Sequence, residues 1–248
     1  QAGCDSIIHM DLTIHHSSDT SIFKDPSEPF SFQIDPVSDG SATFADVDKD
    51  GDLDLLTTGD DASGDKSAKL YINDGSGLFT METGTPFEPV DRASHAFADI
   101  DSDGDPDVII IGRNNSNSPT CILYKNDGSG AFTKDFGSSL AGVYRGCLAF
   151  SDIDLDGDQD LLTTGIGSGY VPVTKLYSNN GSGVFTEING IPFAGEIQSA
   201  VAFADIDGDN DPDLIVSGRE GQNPYSTKLF KNDGNGVFTL VNTTPFPD

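Results

Sequence analysis

Basic residues are scarce in this chain. It carries 13 lysines and arginines against 41 aspartates and glutamates, a formal net charge of −28. Phosphate binding needs clustered positive charge, so neither nucleic acid nor an anionic membrane is an expected partner. No apolar run approaches the roughly 20 residues that span a bilayer, so no membrane insertion is expected. Tryptophan is absent, and there are only three cysteines, Cys4, Cys121 and Cys147. Their number is odd and their spacing fits no zinc motif. A Cys121–Cys147 disulfide and a pair of buried thiols both stay open. Helical periodicity of any length is missing. So are a G-x-S-x-G elbow and a phosphate-cradling loop. Three of the four histidines, His9, His15 and His16, lie near the N-terminus. His95 stands where other repeats have Ala42, Leu148 or Val201, so it reads as structural. No catalytic constellation emerges, and an enzyme is not expected. The chain starts at Gln1 rather than Met and reads as a processed product.

What the sequence does have is aspartate in a fixed pattern. Asp46-Val47-Asp48-Lys49-Asp50-Gly51-Asp52-Leu53-Asp54 returns at Asp99–Asp107, Asp152–Asp160 and Asp205–Asp213, with first residues 53 apart. Such a period marks an array of similar units. Each unit carries four strand signals. In the first these are Ser41–Asp46, then after the acidic loop Leu53–Gly59, then Lys69–Asn73, then Leu78–Met81 beyond the Asp74-Gly75-Ser76-Gly77 turn. Glycine and proline punctuate the strands.

The fold class expected is all-β. Four-stranded antiparallel blades joined by short links make a β-propeller, here four full 53-residue repeats plus an N-terminal half-repeat. Residues 1–36 form the half-repeat, a candidate closing or donor strand with an apolar stretch at Ile7–Ile14. Residues 37–248 hold repeats starting near 41, 94, 147 and 200. A single blade cannot bury both faces, so the recurring aromatics read as core between blades. They are Phe44, Phe97, Phe150 and Phe203, then Tyr71, Tyr124, Tyr177 and Phe230, then Phe79, Phe132, Phe185 and Phe238.

The acidic loops suit a hard cation. Calcium takes six to eight oxygens at about 2.3–2.6 Å, and alternate residues of a curled loop aim inward. The expected ligands are Asp46, Asp48, Asp50, Asp52 and Asp54 in the first loop and Asp99, Asp101, Asp103, Asp105 and Asp107 in the second. The third offers Asp152, Asp154, Asp156, Asp158 and Asp160, and the fourth Asp205, Asp207, Asp209, Asp211 and Asp213. Positions 1, 3, 5 and 9 offer carboxylates, and position 7 its backbone carbonyl. Position 6 must turn sharply, which glycine allows. Gly51, Gly104 and Gly157 stand there, with Asn210 in the fourth loop. An EF-hand is excluded, because position 12 is Thr57, Ile110, Thr163 or Val216 rather than glutamate. About four calcium ions are expected, which would bring −28 to about −20.

Phe-Ala-Asp, then x-Asp-x-Asp-Gly-Asp-x-Asp-Leu, then an apolar strand ending in glycine resembles the FG-GAP repeat of integrin α N-terminal type. It is most similar to the VCBS-type variant of secreted adhesins and carbohydrate-associated proteins. The likeness covers residues 41–248 and implies a propeller with calcium between strands one and two. It departs at the flanks, where Phe44-Ala45 and Gly59-Asp60-Asp61 replace Phe-Gly and Gly-Ala-Pro. Four units and a half also fall short of the family's common seven blades.

The acidic loops and Asn-Asp-Gly turns fall at one end of the strands and barely vary. The loops at the other end all differ, and function usually lives on such loops. Arg92, Arg113, Tyr144, Arg145, Tyr170, Arg219 and Tyr225 are the candidate partner-binding residues there. The expected function is a calcium-stabilised recognition or adhesion module, extracellular or at the cell surface, binding protein or glycan. The alternative is a structural subunit of a filament or oligomer, joined to copies of itself through the N-terminal strand. Deleting residues 1–25 should change the mass in solution if that strand is donated, or lower stability if it closes its own ring. A stable monomer of unchanged melting would exclude both roles.

Overall fold

The structure, a computed structural model, describes residues 34–221 and 223–242. The Ile7–Ile14 stretch, most of the 1–36 segment and Cys4 lie outside the described residues. Those described fold into sixteen strands, four to a unit. The first unit has β1 (Ser38–Ala45), β2 (Asp54–Asp60), β3 (Lys66–Asn73) and β4 (Phe79–Met81). The second has β5 (Val90–Ala98), β6 (Asp107–Asn114), β7 (Pro119–Asn126) and β8 (Phe132–Lys134). The third has β9 (Leu148–Ser151), β10 (Asp160–Ile166), β11 (Pro172–Ser178) and β12 (Thr186–Ile188). The fourth has β13 (Glu196–Ala204), β14 (Asp213–Glu220), β15 (Tyr225–Asn232) and β16 (Phe238–Leu240). The first and third strands begin earlier than their apolar residues announce. A single 3₁₀ turn, Ser168–Tyr170, sits between β10 and β11. No helix among the described residues is long and apolar enough to cross a membrane.

Every unit is an antiparallel sheet whose strands pair in chain order, and one Ser67–Val90 pairing joins the first two units into one sheet. The first strands of successive units lie against one another, β1 on β5, β5 on β9 and β9 on β13. The apolar residues divide into three cores, one between each adjacent pair of units. Strand β6 shows why its sequence is an unbroken apolar run. Val108 and Ile110 enter the core shared with the first unit, while Ile109 and Ile111 enter the core shared with the third. A sheet buried on both faces has no solvent side to alternate toward. Strand β10 is likewise buried along its length, with Leu161 and Leu162 in different cores.

Links between units are tied down by the third strands. Tyr71, Tyr124 and Tyr177 are buried, and their hydroxyls accept the backbone N–H groups of Asp35, Glu88 and Ala141 at 3.1, 2.8 and 2.9 Å. Phe230 holds the fourth place with no hydroxyl. Phe87 from the first link packs edge-on against Tyr124, and Phe193 from the third against Phe230, with centroids 5.0 and 4.8 Å apart.

One expectation needs correction. Phe44 is 38% exposed rather than core, and Phe97, Phe150 and Phe203 are half-buried at core edges. Phe44 belongs to the first described unit, which among the described residues has a packed neighbour on one side only. Of the two alternatives left open for the cysteines, the disulfide is not the one found: Cys121 and Cys147 are not bonded to each other. Burial pushes the Cys121 thiol up to about 12. Cys147 Sγ donates to the Ser199 carbonyl at 2.6 Å.

His95 is structural, as expected. It is buried in β5, with Nδ1 3.2 Å from Thr58 Oγ1 and Nε2 3.1 Å from the Leu56 carbonyl of β2. Burial lowers its pKa from 6.5 to about 4. The folded chain therefore keeps it neutral while the unfolded chain protonates it below 6.5, so stability falls as pH drops from about 6.5 to about 4. This group should cost about 2 kcal/mol between pH 7 and pH 5. Urea midpoints at those pH values should differ less for His95→Leu than for the wild type.

Candidate metal centre

Each acidic loop joins a first strand to a second, and hydrogen bonds curl it around its own aspartates. The first-position carboxylate accepts the N–H of position 6, from Gly51, Gly104, Gly157 and Asn210, at 3.0–3.1 Å. The fifth-position carboxylate accepts the N–H of position 7 at 2.9–3.1 Å. Position 6 is left-handed throughout, with φ of +96°, +86° and +97° at the glycines and +72° at Asn210. Position 4 is left-handed as well, at Lys49, Ser102 and Leu155. There the fourth loop has Gly208, φ +83°, so it exchanges the two residues rather than losing its glycine.

The ninth position is the most enclosed. Asp54, Asp107, Asp160 and Asp213 are at most 1% exposed. One carboxylate oxygen accepts the N–H of position 2, from Val47, Ile100, Ile153 and Ile206, at 2.9–3.2 Å. The other accepts the N–H of the asparagine ending the third strand, from Asn73, Asn126, Asn179 and Asn232, at 2.8–2.9 Å. Burial raises Asp107 and Asp160 to about 6, against these lowering hydrogen bonds and with help from neighbouring aspartates. Burial and neighbouring charge also raise Asp48 and Asp54.

Carboxylate oxygens converge in every loop to within 4.8 Å of one another. The groups are Asp46, Asp48 and Asp50; Asp99, Asp101 and Asp103; Asp152, Asp154 and Asp160; and Asp205, Asp207 and Asp213. Oδ1 atoms of Asp46, Asp101 and Asp154 are buried with no hydrogen-bond partner. Hard oxygens crowded together with unused lone pairs fit a cation such as calcium. The seventh-position carboxylates of Asp52, Asp105, Asp158 and Asp211 stand outside these groups. They lie over the hairpin glycines, so a methyl on Gly75, Gly128, Gly181 or Gly234 would collide with them.

Two features escaped sequence reasoning. The asparagine side chains latch neighbouring units: Nδ2 of Asn126, Asn179 and Asn232 donates to the position-2 carbonyls of Val47, Ile100 and Ile153 in the preceding unit, at 2.7–2.8 Å. Their 53-residue recurrence was visible, but the hairpin turn already accounted for an asparagine there. Lysine also reaches the loops in alternate units. Lys125 contacts Asp101 at 2.7 Å, and Lys231 contacts Asp207 and Asp209. Ile72 and Ser178 hold those places elsewhere.

At the other end of the sheets the candidate partner residues divide. Tyr144 is 5% exposed, with the Arg113 guanidinium 6.0 Å from its ring centroid. Arg113 is committed to the buried Asp91. Burial would raise that carboxyl, and Arg113 with Lys66 brings it below the ordinary value. Arg92 and Arg219 are half-buried, and Arg219 Nε donates to the Asn223 carbonyl at 3.2 Å. Arg145, Tyr170 and Tyr225 are exposed.

A family model described as an FG-GAP-like repeat matches residues 46–110, 99–163 and 152–216. Each match begins at the first aspartate of a loop and runs into the next unit's second strand. A comparison with curated proteins gave no match. Gly157→Ala should destabilise the fold by about 1–2 kcal/mol. A methyl there meets nothing within 4 Å, so denaturant unfolding would report the cost of the left-handed φ alone.

Proposed function

The chain belongs to the FG-GAP-like repeat family, and from that premise we propose that it is a calcium-stabilised β-propeller module that recognises a partner outside the cell. The first strands line the propeller axis, and each acidic loop holds one calcium ion. Positions 1, 3, 5 and 9 supply carboxylates, and position 7 its carbonyl. Calcium would supply charge that offsets the mutual repulsion of these groups. The chain's own part is to curl the loop, to bury the ninth aspartate and to tie it to the third strand.

One observation carries the recognition role. The loops at the acidic end repeat almost unchanged, whereas those at residues 61–65, 115–118, 167–171 and 221–224 share no residue pattern. Scaffold repeats because every unit needs it, and a binding face has no such reason. A protein or glycan is the partner class. A non-catalytic role is supported by the enclosure of His95, the one histidine among the described residues, in β5 with both ring nitrogens engaged.

A second reading, a subunit of an assembly, is favoured by the outer faces of the array. In β14 Ile215 is half-buried and Ser217 exposed, whereas β10 is buried throughout. These faces would suit a further unit or a second copy.

Calcium removal is the direct test. Each ion at a hundred times its Kd stabilises by about 2.7 kcal/mol. Chelation should therefore lower the melting temperature by many degrees, and calcium should restore it where magnesium does not. A melt indifferent to chelator would overturn the metal role.

A further inference from the structure

All four arginines of this acidic chain, Arg92, Arg113, Arg145 and Arg219, lie at the ends of strands remote from the acidic loops. Two of them hold one position of the repeat. Asp39, Arg92, Arg145 and Gln198 are 53 residues apart, and all are left-handed, with φ of +49°, +48°, +54° and +51°. For residues with side chains that conformation costs about 1–2 kcal/mol. Three of these four places lie at register shifts of the first-strand pairing, so the left-handed residue is part of the scaffold and sets the rim's backbone alike in every unit.

Their backbones are strung together. Arg145 N–H donates to the Arg92 carbonyl and Gln198 N–H to the Arg145 carbonyl, both at 2.9 Å. The side chains therefore hang from adjacent points of one rim. Arg92 Nε is buried with no hydrogen-bond partner. The nearest carboxylates, Asp91 and Asp39, lie at 3.8 and 3.9 Å, beyond hydrogen-bond reach. Arg145 is exposed and has no ion pair among the described residues. Beside it, the Tyr225 hydroxyl donates to Gln198 Oε1 at 3.1 Å.

We propose that this rim binds a single carboxylate of a protein partner, an aspartate or glutamate side chain, between Arg92 and Arg145. This rests on the recognition role above and names its chemistry. A guanidinium fork matches a carboxylate, and Arg145, exposed and without an ion pair among the described residues, is the open member of the pair. The surroundings select against polyanions, because Asp39, Asp60, Asp91, Glu196 and Glu220 lie at the same ends of the strands. A lone carboxylate flanked by neutral or basic residues meets the arginines without meeting those acids in kind.

The experiment uses the calcium-loaded full chain on immobilised hexapeptides. Each carries one Asp or Glu among neutral or Lys residues, with Asn or Gln counterparts and with polyglutamate and a polyuronate as controls. Acid-bearing peptides should be held about tenfold more tightly than their amide counterparts, and Arg145→Gln should erase the difference. Arg145 is exposed, so that variant should melt like the wild type, and Arg145→Lys should keep part of the preference. Equal binding of acid and amide peptides, an Arg145→Gln chain that binds as before, or tighter binding of polyglutamate would each overturn the rim while leaving the recognition face standing. Retention of no probe at all would overturn the rim, and failure on protein and glycan surfaces in general would remove the recognition role as well.

Discussion

The ninth aspartate of each acidic loop is a charge held almost out of reach of water, and the rest of the repeat is arranged around that difficulty. Two backbone N–H groups reach it, one from the loop and one from the end of the third strand. They do not fully offset the cost of burial, which leaves Asp107 and Asp160 at about 6. A divalent cation bound in the loop, as proposed above, would complete the compensation. The asparagine that donates its backbone N–H to this aspartate also donates its side chain to the preceding unit's loop. The buried aspartate, the hairpin position and the docking of one unit on the next are therefore joined through a few contiguous bonds.

Beneath the 53-residue period lies a longer one. Asp-Leu-Leu-Thr-Thr-Gly occurs in the first and third units, while Pro106 and Pro212, Arg113 and Arg219, and Lys125 and Lys231 occur in the second and fourth. The units thus form pairs, and the pairing has an electrostatic consequence. Loops of the second and fourth units carry a lysine ammonium at the third-position aspartate, Asp101 and Asp207, and those of the first and third have none from that place. The four acidic loops are alike in backbone and differ in the charge around them.

The two ends of the sheets solve different problems. At one end the aspartates are numerous, equivalent and committed to curling their own loops. At the other, each charged residue has its own circumstances: Arg113 is locked to Asp91 and stacked by Tyr144, Arg92 is half-satisfied, and Arg145 is open. The acidic loops present much the same aspartates in every unit, so under the proposed recognition role discrimination between partners would fall to the end where the units differ.

Much of this was legible in the sequence because the repeat multiplies weak signals. One D-x-D-x-D-G resembles several things, but four in register, followed each time by an apolar strand, determine the strands, the loops, the antiparallel units and the convergence of the aspartates. The buried tyrosines and the structural His95 followed from the same register. Only the tertiary structure decided what depends on a neighbour across the chain. Phe44 has the sequence context of Phe97 but not its packing, because burial depends on the unit on either side. Cys121 and Cys147 stay apart, and Tyr144 lies beneath the surface on which its position in a variable loop had placed it. The bonds from Asn126 to Val47 and from Arg145 to Arg92 join residues 79 and 53 apart. Local pattern governs which strand a residue enters and which way it faces, but contact between units is set by how whole sheets stack, and no window of sequence contains that geometry.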